Sequence, residues 1–171
     1  MLRIRNIIFA LLLALLPTPA FAQVVATFYS HELGTQFPHA FVVLKGTPVR
    51  GGAPVDTNYG FTAKAVTPAM LMGSVPGRMD TATPEYIAKS DPQFAMTLSD
   101  AQYDALMEVV ARWSVKPGST YHLNKHNCVF FAGEMAQAIG LKVEFPKGLM
   151  KRPRSYLQHL MGLNPGLKPV K

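Results

Sequence analysis

The sequence predicts an α+β protein in which an antiparallel sheet packs against helices, and three observations predict it. Val55, Thr57, Tyr59 and Phe61 alternate with Asp56, Asn58, Gly60 and Thr62, the period-two pattern of a strand with one buried face. Gly51-Gly52 supplies a hairpin connection from the apolar run before that strand. Two later stretches repeat at helical spacing: Tyr103, Leu106, Met107, Val110 and Trp113, then Cys128, Phe131, Ala132, Met135 and Ile139.

In chain order, Val24 to Ser30 is β-branched and aromatic and reads as a first strand, followed by a polar turn at Gly34. Ala40 to Leu44 is apolar on both faces, which suits a central strand, with His39 at its start. Gly46 to Pro54 connects to the alternating strand, 55–62. Thr67-Pro68 reads as an N-cap with proline at N1, opening a short helix through Met72. Gly73 to Pro92 is turn-rich and reads as a lid or rim over a site, and Gln93 to Leu98 as a further strand. Ser99 and Gln102 form a capping box for the helix that carries Trp113, which Pro117-Gly118 ends. The approach Tyr121 to Asn127 leads into the cysteine helix, with Asn127 as N-cap and Gly140 at the left-handed C′ position. Leu141 to Phe145 reads as a short strand, and an amphipathic helix follows Pro153. No repeat or low-complexity tract interrupts the chain.

The first residues have the three parts of a secretory signal: basic Arg3 and Arg5, an apolar run to Leu16, and Ala20-Phe21-Ala22. The expected organisation is a signal peptide over 1–22, a single domain over 23–165 and a basic Gly/Pro/Lys tail over 166–171. The expected destination is a bacterial periplasm, with no membrane-spanning segment in the mature chain. Formal net charge is +7, and about +5 once the leader is removed. Lys147, Lys151, Arg152, Arg154, Lys168 and Lys171 carry much of the excess. Export argues against nucleic acid and for an anionic envelope component such as peptidoglycan, although a solvated basic tail explains the same residues.

Cys128 is the only cysteine. It has no intrachain disulfide partner, and an unpaired thiol in an oxidising compartment needs a reason to be there. At the first turn of a helix, unpaired N–H groups and the helix dipole favour thiolate, which is how nucleophilic cysteines are built; a plain core cysteine fits the same pattern. A nucleophile needs a base, and five histidines are available: His31, His39, His122, His126 and His159. His39 begins a central strand, a rigid mount for an imidazole, while His126 is too close to Cys128 in sequence to aim readily at the sulfur. His122, His126 and Cys128 form a possible metal cluster, but the spacing fits no usual zinc pattern, so neither metal nor cofactor is expected.

The order of a histidine strand, a polar residue on the next strand, and Asn127-Cys128 opening a helix resembles the circularly permuted NlpC-like papain-fold superfamily. That superfamily includes lecithin–retinol acyltransferase-like enzymes and bacterial envelope hydrolases. The resemblance runs from about Phe37 to Gly140 and implies a permuted papain-like fold. It implies Cys128 as nucleophile and His39 as base, with Asn58 as the orienting residue and Asp56 as the alternative. The Cys128 backbone N–H would bind the oxyanion, with Asn127 and Tyr121 as oxyanion or positioning groups. Cys128-Val129-Phe130-Phe131 departs from the Cys-Glu-His-Phe continuation of the vertebrate acyltransferases. The expected activity is that of an exported cysteine amidase or peptidase on peptidoglycan stem peptides. Its rivals are a lipid-directed thioesterase or acyltransferase and a non-catalytic binding module of the same fold.

Overall fold

The computed structural model describes residues 23–32, 37–114 and 120–170. The expected signal peptide, the Gly34 turn and Pro117-Gly118 lie outside the described residues. Among the described residues six strands, β1 (Val24–His31), β2 (His39–Gly46), β3 (Val55–Ala63), β4 (Val75–Asp80), β5 (Asp91–Leu98) and β6 (Thr120–Tyr121), form one sheet. Its order is β5-β1-β2-β3-β4-β6, and every neighbouring pair is antiparallel. Four α-helices among the described residues accompany it: α1 (Pro84–Ala88), α2 (Asp100–Ser114), α3 (Cys128–Ala138) and α4 (Pro153–Leu163). The expected α+β class with an antiparallel sheet on helices is what the chain adopts.

Strand alternation explains where the core sits. Ala26, Phe28, Ala40, Val42, Leu44 and Phe61 point to one face and are buried with Leu106 and Val109 of α2, Phe131 and Met135 of α3, and Leu157 and Leu160 of α4. Each large apolar side chain buried there contributes roughly 1.5–3 kcal/mol. The registers Tyr29↔Phe41, His31↔His39 and Phe41↔Gly60 put these residues on the opposite face. That second face is covered in part by α1, whose Tyr86 stacks on His31 at 4.2 Å.

The Ser99–Gln102 capping box and the Gly140 stop hold in detail. Ser99 N–H donates to Gln102 Oε1 at 2.9 Å, and Gln102 N–H donates to Ser99 Oγ at 3.2 Å. At the end of α3, Gly140 has φ +90°, its N–H bonds to Gln137 O, and Leu141 N–H bonds to Ala136 O at 3.1 Å. Those two bonds make a Schellman stop. Thr67-Pro68 opens a 3₁₀ turn, Pro68–Leu71, but the Thr67 side chain makes no capping bond.

Two expectations fail for physical reasons. The turn-rich stretch 73–92 contains a strand, β4, hidden by Pro76 and Gly77. Gly77 is there because Phe61 packs against it: a Cβ at that position would lie 2.5 Å from Phe61 Cζ. Leu141–Phe145 is not a strand. The Lys142 backbone pairs instead with the Asn164 side chain, whose Oδ1 accepts from Lys142 N–H and whose amide donates to Lys142 O, both at 2.9 Å. The basic tail is also tied to the sheet, since Pro169 bridges Phe94 and Val170 N–H reaches Gln93 O at 3.3 Å. The tail thus lies along β5, the first strand in the sheet order.

Candidate active site

The start of α3 is fixed by one side chain. Asn127 is extended at φ −141° and 2% exposed. Its Oδ1 accepts from Val129 N–H at 2.8 Å and Phe130 N–H at 3.3 Å, while its amide donates to Leu123 O at 2.7 Å and Met150 O at 2.8 Å. Those bonds occupy both ends of the amide. Asn127 therefore holds the helix in place and has no free group for an oxyanion.

Cys128 follows as the first residue of α3 and is 4% exposed. The backbone N–H groups of Ala40, Val129 and Cys128 itself favour the thiolate, as expected of a helix N-terminus. Burial outweighs them and pushes the thiol up to about 11. The sequence expectation of a ready thiolate is therefore corrected: the resting group is a neutral thiol.

His39 is the first residue of β2. Its ring lies against Gly60, where a Cβ would come within 2.5 Å of Nε2. Burial, followed by the electrostatic influence of His31 directly across the strand pair, pulls the imidazole down to about 4. His39 is therefore a neutral base throughout the physiological range. Alternation gives His39 and Cys128 to different faces of β2, since Cys128 belongs to the same buried cluster as Ala40, Val42 and Leu44. The sulfur neighbours the N–H of Ala40, the residue joined to His39. Among the described residues no hydrogen bond joins the two side chains.

His39 opens onto a cleft of about 730 Å³, walled also by Phe41, Gly60, Arg78, Tyr86 and Tyr121. Cys128 is not one of its walls. Two tyrosines of the cleft lie within electrostatic reach of Cys128. Tyr86 is pushed up to about 12, first by burial and then by Cys128 and Asp80. Tyr121 is pushed up by burial and then by Cys128. Both hydroxyls stay protonated at neutral pH. Arg78 and Asp80 form an ion pair of 2.9 Å on the same wall.

The residues expected to orient His39 are not beside it. Asn58 pairs with Val43, four residues along β2 from His39, about 13 Å away at strand rise. Its amide is engaged in both directions with the Ala82 backbone, at 3.0 and 2.6 Å, so it pins the loop after β4 to the cleft wall. Asp56 pairs with Lys45 near the other end of β2 and makes an exposed 3.5 Å ion pair with it. Of the remaining histidines near the thiol, His126 stacks flat on Trp113 at 4.0 Å with Nδ1 at 2.8 Å from Thr120 O. His122 Nδ1 accepts from Asn124 N–H at 3.1 Å. Among the described residues no group of three or more His, Cys, Asp or Glu side chains could hold a metal, and no helix is long and apolar enough to cross a membrane.

Sequence reasoning missed Gly60, Tyr86 and Arg78 as cleft residues. A glycine inside an alternating strand is a signal of close approach, and at Gly60 that approach is by the His39 ring. Thr83-Pro84 is a second Thr-Pro helix start; Thr83 Oγ1 accepts from Tyr86 N–H at 3.3 Å and opens α1. No protein-family model matches the chain, and no similar curated protein or solved structure is found.

Proposed function

We propose that this chain is an exported cysteine hydrolase of the circularly permuted NlpC-like papain fold, acting by acyl transfer. Peptidoglycan stem-peptide amides are its first substrate class. The observation that carries the reading is the meeting of the α3 N-terminus with the start of β2, where the sulfur lies beside the Ala40 N–H and His39, the preceding residue, lines a cleft. Arg78 on the cleft wall offers a cation to a substrate carboxylate.

The pKa directions define the chemistry. With the thiol raised to about 11 and the imidazole lowered to about 4, the pair starts neutral. Attack is therefore general-base catalysed: His39 takes the S–H proton as sulfur adds to the carbonyl carbon. The oxyanion is met by the Cys128 backbone N–H and the Tyr121 hydroxyl. Collapse breaks the C–N bond, and the leaving amine takes the proton from the imidazolium. Water then adds to the thioester, with His39 again as base, and hydrolysis releases the acid and the free thiol.

The purified protein should release new amines from isolated sacculi. Cys128→Ala and His39→Ala should each lower that rate at least about a thousandfold while remaining folded by circular dichroism. Cys128-dependent turnover of a short-chain thioester or phospholipid, with sacculi untouched, would move the substrate to lipid. A second reading, a binding module that uses the cleft without the thiol, is favoured by the absence of Cys128 from the cleft walls. It stands if none of the three substrates is consumed.

A further inference from the structure

The geometry points to a lipid-docking surface at the mouth of the cleft, formed by residues 64–73 and seated on an anionic phospholipid bilayer. Among the described residues, six large hydrophobic side chains are exposed, and four of them gather here: Phe37 at 49%, Val66 at 60%, Leu71 at 75% and Met72 at 91%. Phe37, Val66 and Met70 line the cleft, and Leu71 and Met72 continue directly from Met70. Scattered single apolar residues need no explanation, but a cluster at the rim of a cleft does.

The turn is presented rigidly. Met70 is 5% exposed and anchors it in the core. Met70 N–H bonds to Thr67 O at 3.1 Å, and the N–H groups of Met72 and Gly73 both bond to Ala69 O, at 3.0 and 3.2 Å. A methionine 91% exposed has almost no neighbours, so the tip stands proud of the surface. Such a projection offers far less than the roughly 800 Å² per partner of a stable protein interface. It does suit shallow insertion at a headgroup boundary.

Charge selects the kind of surface. From residue 57 to residue 79 there is no acidic side chain, and the only charges are Lys64 and Arg78. The next carboxylate, Asp80, is already paired with Arg78. An apolar tip with Lys64 beside it and its one neighbouring carboxylate already paired, on a chain with an excess of basic residues, is complementary to anionic lipid.

Docking does not depend on the acyl-transfer reading, and co-sedimentation tests it separately. The wild type should sediment with phosphatidylglycerol–phosphatidylethanolamine vesicles, less so with phosphatidylcholine alone, and less as salt rises. Leu71→Glu with Met72→Glu should weaken binding about tenfold or more without changing the melting temperature, because both side chains are exposed. Leu71→Ser with Met72→Ser, which adds no charge, should weaken it in the same direction, and Cys128→Ala should bind like wild type. Wild-type protein that stays in the supernatant, or glutamate and serine variants that sediment as it does, would overturn the proposal. So would sedimentation velocity showing a wild-type dimer that the glutamate variant dissolves, since the patch would then belong to a second copy. Vesicle binding with an inert Cys128 would leave the docking intact and remove only the enzyme.

Discussion

Replacing Asn127 by alanine removes four hydrogen bonds from the base of the site. Loss of an N-cap costs about 1 kcal/mol. The Leu123 and Met150 carbonyls then lose their donors in a buried setting, at about 1 kcal/mol each, so Asn127→Ala should destabilise the protein by about 3 kcal/mol. In a domain of this size that lowers the melting temperature by about 10 °C. Asn127→Ser keeps an oxygen for the helix N–H groups but cannot reach both carbonyls, so its cost should be about 2 kcal/mol. Urea unfolding of the three proteins, with thermal melts alongside, reads the series directly. The same change frees the first turn of α3, so iodoacetamide should alkylate Cys128 faster in Asn127→Ala than in wild type. A loss below about 1 kcal/mol for alanine would show that packing alone holds the helix start. Equal losses for serine and alanine would show that the cap contributes nothing.

Two further outcomes follow from His39. Gly60→Ala puts a Cβ 2.5 Å from His39 Nε2; the movable atom is the end of a side chain, so stability should change little while any His39-dependent turnover falls steeply, and unchanged activity would free the ring from that position. Because burial lowers the folded His39 pKa to about 4 from 6.5, the unfolded chain binds the extra proton between those values. The His39 contribution is full above pH 6.5 and fades as pH falls toward 4, with a slope of up to about 1.4 kcal/mol per pH unit. His39→Gln should flatten unfolding stability over that window, and an unaltered pH slope would refute the buried neutral imidazole.

How much of this was legible in the sequence depends on whether the signal was local. The alternation of Val55–Phe61, the Ser99–Gln102 box, the Asn127 cap and the Gly140 stop all depend on neighbours within a few residues, and all stand in the structure. Strand β4 was illegible because its glycine answers a residue on another strand, Phe61. The Leu141–Phe145 segment looked like a strand by composition, but its backbone found Asn164 instead. The same division runs through the site. His39 and Cys128 could be chosen from their places at element starts. Asn58 could not be judged without knowing that Ala82 would take both ends of its amide.

At Cys128, burial decides between opposing influences on one proton. A helix N-terminus and three backbone N–H groups all favour thiolate, and an exposed cysteine so placed would react readily. At 4% exposure, desolvation of the anion outweighs them and keeps the proton on sulfur. A neutral, enclosed thiol is a poor partner for oxidants and disulfides, because thiolate is the attacking species. This offers a physical reason why a lone cysteine could persist in an oxidising compartment. It also sets a condition on any catalytic use. A substrate must reach the enclosed sulfur, and on the proposed reading the proton passes to His39 during attack, because no standing thiolate is present.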